Sequence, residues 1–236
     1  MEKGRIFLAA VPGRVEPDHR TEMVNQLLYG EEFTVVAHEG DWVQVMTTHD
    51  DYLCWIRKNA IQPIDQFQPS LHSFHEGLFT FSEPTGWVTF GAFIQESTRI
   101  VMVANLPEVA QLWKHVPYLW GGRTPMGIDC SGLTQLLYRA AGYSIPRDAW
   151  QQALQGEDVG FLEESKPGDL AFFGEEDGPI THVGLITGKG TIWHAHGWVR
   201  EDRIDHQGIF NTELNRHTHQ LRLIKRISSF TEDSLI

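Results

Sequence analysis

The chain has 236 residues, 41% of them hydrophobic, enough for one to three packed domains. Its formal net charge of −12 repels phosphate backbones and anionic lipid, so neither nucleic acid nor a membrane surface is an expected partner. No apolar run is long enough to cross a bilayer, and MEKGRIFLAAVPGR reads as a strand and not as a secretion signal, so a cytoplasmic protein is expected unless a leader has been removed.

Residues 1–62 read as a small β-barrel. FTVVAH, DWVQVMT and YLCWIRK are short β-rich runs broken by YGEE, HEGD and THDD. Trp42, the alternating Val43 and Val45, and the pair Tyr52 and Trp55 resemble a bacterial SH3-like domain. Cys54, inside YLCWI, reads as a small core residue. Residues 63–70 look like a linker. Across 63–105 the runs GLFTF, GWVTFGAFI and RIVMVA suggest a second, reduced SH3-like domain.

The texture changes over 106–236. LPEVAQLW predicts a short helix with Pro107 in its first turn. A Pro/Gly-rich loop, VPYLWGGRTPMGI, leads into CSGLTQLLYRAA. There Leu133, Leu136, Leu137 and Ala140 recur at helical spacing, and Gly142 is the expected stop. DLAFFG, THVGLIT and TIWHA predict three successive strands, with HQLRLIKRI another. One helix on an antiparallel sheet is an α+β domain.

GIDCSGLTQ raises the chemical question. Two cysteines, Cys54 and Cys130, make no disulfide framework, and no CxxC or paired Cys/His spacing marks a zinc site. Neither a metal nor a cofactor is expected, which leaves core filling or a nucleophile for Cys130. Asp129 is a plausible N-cap, placing Cys130 in the first helical turn. Such a position can lower a thiol pKa from about 8.5 to roughly 3.5–7.5. Gly127 and Gly132 are expected to leave space near the sulfur. A nucleophilic thiol needs a base, and the base needs an orienter. A three-residue loop at 188–190 would pair Thr187 with Thr191 and put His182 and His194 on one sheet face, opposite the helix. His182 is the candidate base and His194 its orienter. The Cys130 N–H is a candidate oxyanion donor. With twelve histidines in the chain, two on neighbouring strands can also be coincidence. His72/His75 and His217/His219 read as surface residues.

The ordered set PYLWGGRTPMGIDCSGLTQLLYRAAGYSIPRDAWQQ, KPGDLAFF, THVGLIT and IWHA resembles the NlpC-type papain-like cysteine peptidases, over about residues 106–226. The resemblance implies a papain-like fold with Cys130 as nucleophile, His182 as base and His194 as orienter. With SH3-like domains in front, it points to the γ-D-glutamyl-L-diamino-acid endopeptidases of dipeptidyl-peptidase VI type. These cut murein tripeptides and tetrapeptides that have a free N-terminal L-Ala, releasing L-Ala-D-Glu. In that branch acidic and aromatic groups, some from the first SH3-like domain, hold the ammonium, so the barrel is expected to touch the catalytic domain. The matching positions are Asp148, Glu22 (with Glu16 as rival) and Tyr52; the resemblance makes Trp120 an apolar wall, and Asp129 and Ser131, which flank the nucleophile, substrate contacts through side chain or backbone. Their plain alternatives are a helix cap for Asp148, core packing for Trp120 and Tyr52, and a solvated turn for Glu22. Arg123 and Arg147 are candidates to clamp a substrate carboxylate. His196 departs from the pattern, which has a small residue there. Two other readings stand beside this one: an extracellular hydrolase of intact peptidoglycan, and an SH3-like peptide-binding protein with an inactive peptidase domain.

Overall fold

The computed structural model describes residues 2–67, 78–82, 86–93 and 105–227. Its N-terminal sheet has seven strands: β1 (Lys3–Ile6), β2 (Ala10–Arg14), β3 (Met23–Leu28), β4 (Glu32–Glu39), β5 (Trp42–Thr47), β6 (Leu53–Arg57) and β7 (Ile61–Pro63). They pair antiparallel in the order β3-β2-β6-β5-β4-β1-β7. Alternate residues turn inward, so Ile6, Leu27, Phe33, Val43, Val45, Cys54 and Ile56 make one core. This is the SH3-like barrel expected from the first sixty residues, and Cys54 is core filling. The opening apolar patch is split: Phe7 and Leu8, exposed, join β1 to β2.

Much of 63–105 lies outside the described residues, including RIVMVA, His72 and His75. Within it, β8 (Phe79–Ser82) and β9 (Gly86–Thr89) form a two-stranded antiparallel ribbon.

The C-terminal part begins with α1 (Leu106–Leu112), the small ribbon β10 (Arg123–Thr124) and β11 (Gly127–Ile128), then α2 (Cys130–Ala140) and α3 (Ala149–Gln152). A sheet follows: β12 (Glu157–Val159), β13 (Leu170–Phe173), β14 (His182–Ile186), β15 (Thr191–His196), β16 (Trp198–Asp205), β17 (Gly208–Asn211) and β18 (Arg216–Arg226). The order is β12-β18-β13-β14-β15-β16-β17. The long β18 pairs with β13 through Leu221–Lys225 and with β17 through Arg216–Gln220, so the sheet closes on itself. Both faces are therefore covered. Leu170, Phe172, Val183, Leu185, Trp193 and Ala195 pack with α2. Phe173, Ile186, Ile192, Ile204 and Ile209 fill the inside. That double burial is why DLAFF and HVGLI read as unbroken apolar runs.

The helix α2 is buried on all sides, not on one face alone. Its apolar stripe meets the sheet. Its polar side meets the barrel, where Gln135 Nε2 donates to Asp50 Oδ2 at 2.8 Å and Arg139 donates to Glu31 Oε1 at 2.7 Å. The barrel and the helix bearing Cys130 are thus joined by buried charge.

Candidate active site

The start of α2 is over-determined. Asp129 Oδ1 accepts from the Gly132 N–H at 2.7 Å, the N-cap bond expected from the sequence. Asp129 Oδ2 accepts from the Gly121 N–H at 2.8 Å. Arg147 forks onto both oxygens at 3.0 and 2.6 Å, and donates further to Ser131 Oγ at 2.8 Å and to Asn25 Oδ1 of β3 at 2.9 Å. A Cβ on Gly132 would lie 2.5 Å from the Gly122 carbonyl oxygen. This glycine lets the 119–122 loop close on the helix start; it does not clear space at the sulfur.

Cys130 is 5% exposed. The Val183 and Ser131 N–H groups reach its sulfur and favour the thiolate. Burial first, and then the Asp129 carboxylate, outweigh them and push the thiol up to about 12. The helix N-terminus therefore does not lower this thiol as expected: the carboxylate that caps the helix also lies beside the sulfur. The resting group is a neutral thiol.

The Val183 N–H places the thiol beside the first residue of β14, His182. The Thr187 N–H donates to the Thr191 carbonyl at 3.1 Å, so the hairpin has the expected register. His182 and His194 share the face of Ile186 and Ile192, which turns into the closed sheet, while α2 packs on the other face. The thiol thus reaches β14 at its first residues, around the end of the strand and not across the sheet, through the Val183 N–H.

His182 Nε2 and His194 Nδ1 lie 2.9 Å apart, and His194 Nε2 lies 3.1 Å from Asp202 Oδ2 on β16. Arg200 NH2 donates to Asp202 Oδ1 at 3.0 Å. Burial alone would raise Asp202, but its bonds to His194 and Arg200 lower it, so it is an acceptor only. The proton order follows. His194 donates from Nε2 to Asp202 and accepts at Nδ1 from His182 Nε2–H. His182 is left with its lone pair on Nδ1. Burial, with His194, His219 and His196 nearby, holds His182 well below the ordinary histidine value, so it stays neutral. A neutral imidazole with a fixed free lone pair beside a neutral thiol can act as a general base.

The NlpC/P60 family matches residues 115–222, which contain Cys130, Arg147, His182, His194 and Asp202. The chain carries an NlpC/P60 domain. A bacterial dipeptidyl-peptidase SH3 domain matches residues 13–61. The chain is 29% identical over 217 residues to a gamma-D-glutamyl-L-lysine dipeptidyl-peptidase of Bacillus subtilis, covering 72% of this chain and 71% of the relative. A protein of the same name from Bacillus cereus is 26% identical, covering 74% and 67%. A crystal structure of an NlpC/P60 family protein from Bacillus cereus superposes with a TM-score of 0.73 at 20% identity, covering 95% of this chain and 99% of that one; this likeness is one of fold. The protein is a cysteine peptidase.

Around the NlpC/P60 centre the other candidates separate. Tyr52, from the barrel, donates to the Val24 carbonyl at 3.5 Å and lies beside Asp148, which caps α3 in a capping box with Gln151 and has Trp150 close by. Burial raises Asp148, the nearby Arg147 opposing it. Trp120 is 56% exposed, so it is surface and not core. Both Asp129 oxygens are engaged, and Ser131 Oγ is held by Arg147 and Asp129. Their side chains build the site's frame. Arg147 belongs to that frame, and Arg123, fully buried, bonds Glu31 and the Gln26 carbonyl; neither is open to clamp a substrate. Glu22 is exposed and precedes Met23, whose carbonyl packs on Gly121. Glu16 is exposed in a turn closed by Thr21 Oγ1.

Three residues escaped the sequence reading. Asp202 is one. Tyr118 is another: half-buried, it faces Cys130 and Asp129, which with burial raise its phenol. The third corrects an expectation. His219 is no surface residue; it is half-buried and stacks on His182 with ring centroids 4.1 Å apart.

Proposed function

We propose that the chain is a γ-D-glutamyl-L-diamino-acid endopeptidase that acts on murein peptides with a free N-terminal L-Ala and releases L-Ala-D-Glu. In this reading Cys130 is the nucleophile, His182 the base and His194 the orienter, held by Asp202. As Sγ attacks the γ-carbonyl carbon, the thiol proton passes to His182 Nδ1. The Cys130 N–H, at the first helical position, and the Tyr118 hydroxyl are the donors assigned to the oxyanion. Collapse returns that proton to the leaving α-amine of the diamino acid and leaves a thioester, which water hydrolyses with His182 again as base.

The observation that carries the substrate assignment is the meeting of Tyr52 and Asp148. An acid contributed by the peptidase domain lies against a barrel phenol, beside the frame that holds Cys130. Burial disfavours its charged form, and an arriving ammonium would offset that cost. Exposed Trp150 lies close to Asp148, and exposed Trp120 precedes the Gly121 whose N–H bonds Asp129. The names of the Bacillus relatives support the same bond. The test is a pair of synthetic tripeptides, L-Ala-γ-D-Glu-L-Lys with its amine free and N-acetylated. Cleavage of the free form with at least about a hundredfold loss on acetylation is expected, for a buried charge pair lost. Equal cleavage of both, or solubilisation of intact sacculi, would overturn the assignment.

A further inference from the structure

Where β14, β15 and β18 come together, imidazoles cluster on the face turned away from α2. His219 stacks on His182, His194 lies edge-on to both, and exposed His196 stands 4.7 Å from His219 between ring centroids. One ring nitrogen from each of His182, His194 and His219 lies within 4.8 Å of the others. We propose that these three form an inhibitory site for a late first-row divalent cation, Zn2+ above all, at the Nε2 side of the base, where His194 lies.

The donors are of the right kind: three imidazoles suit zinc, copper or nickel better than calcium or magnesium. Their outer partners are also in place. Asp202 takes the far nitrogen of His194, and Thr218 Oγ1 lies 2.9 Å from Nδ1 of His219, which leaves Nε2 of His219 to ligate. Metal-bound histidines are normally held by a carboxylate or other polar group at the second nitrogen. Tetrahedral zinc with bonds of about 2.0–2.1 Å needs nitrogens about 3.3 Å apart, so His219 has to close by up to about 1.5 Å. It is half-buried and lines a surface cleft with His206, Gln207 and His217, which provides both the freedom and the entry path.

Inhibition follows from the proton order and rests on His182 being the base. To ligate through Nε2, His182 must move its proton to Nδ1. No proton is released, but Nδ1, the nitrogen assigned to take the thiol proton, is then protonated and cannot accept it. His194 keeps its Nε2–H on Asp202 and turns its Nδ1 lone pair from His182 to the metal.

The experiment uses the full chain. Zn2+ binding to Cys130→Ala is measured by calorimetry, with Co2+ absorption as the coordination readout. His219→Phe, which keeps the ring stack and removes the nitrogens, is then added. Cys130→Ala should bind one Zn2+ per chain, and His219→Phe should weaken binding at least tenfold. With Cys130 intact, His219→Phe should raise the half-inhibitory Zn2+ at least tenfold relative to its own zinc-free rate. Zinc binding that needs Cys130 and ignores His219 would place the metal on the thiol–imidazole pair and overturn the proposal. So would binding without inhibition. An inactive wild-type chain whose Cys130→Ala form still binds zinc through His219 would count against the peptidase reading, not against the metal site.

Discussion

Replacing Glu31 by Gln should loosen the barrel from the helix that carries Cys130. Glu31 is fully buried between β3 and β4. Its Oε1 pairs with Arg139 at 2.7 Å and Arg123 at 2.9 Å, and its Oε2 accepts from the Leu28 N–H at 3.0 Å and from Arg123 at 3.1 Å. Burial alone would raise this carboxyl; Arg123, His49 and Arg139 outweigh it and bring the group from 4.5 down to about 2. That depression corresponds to about 3 kcal/mol. Because the folded value is the lower one, this stabilisation is fully present above pH 4.5 and is lost as pH falls through about 2. Gln also leaves two buried guanidiniums without their counter-charge, a loss of about 3–5 kcal/mol. Urea unfolding of both proteins at pH 7 should show a difference of that size, narrowing by about 2 kcal/mol at pH 3. The variant should also raise KM more than it lowers kcat, since Tyr52 arrives on the barrel. A difference below about 1 kcal/mol at pH 7, or one that acid leaves unchanged, would refute the reasoning.

Asp202→Asn should lower kcat about 10–100-fold with KM near wild type, because His194 loses the acceptor that sets its tautomer; steady-state kinetics with an unchanged kcat would remove Asp202 from the relay. Cys130, with its thiol near 12, should alkylate with iodoacetamide at pH 7 at least about 100-fold more slowly than free cysteine. Labelling at pH 6 as fast as a free thiol would show a standing ion pair instead. Gly121 has φ +74°, and a Cβ there would lie 2.5 Å from the Met23 carbonyl oxygen. Gly121→Ala should therefore cost about 1–3 kcal/mol in thermal unfolding, and a wild-type melting temperature would contradict the close docking of β3.

Local chemistry was legible in the sequence. Asp129 before an apolar helical repeat marked the start of α2, and the GKG loop gave the parity that brings His182 to His194. What stayed hidden depends on contacts across the fold. Arg200 and Asp202 turn inward on β16, where alternation would call for apolar residues; they are buried because they pair with each other and with His194. Glu31 read as part of a polar turn, and it is buried because two arginines far along the chain neutralise it. His219 reaches His182 only because β18 closes the sheet. Helix position suggested an activated thiol, but burial and Asp129 decide otherwise.

The most direct test of the account is release of L-Ala-D-Glu from L-Ala-γ-D-Glu-L-Lys by Cys130→Ala and Cys54→Ala side by side. Cys54 lies in the barrel core and bonds none of Cys130, His182, His194 and Asp202. The account predicts no release above background from Cys130→Ala and continued turnover by Cys54→Ala. Turnover by Cys130→Ala at the wild-type rate would contradict it.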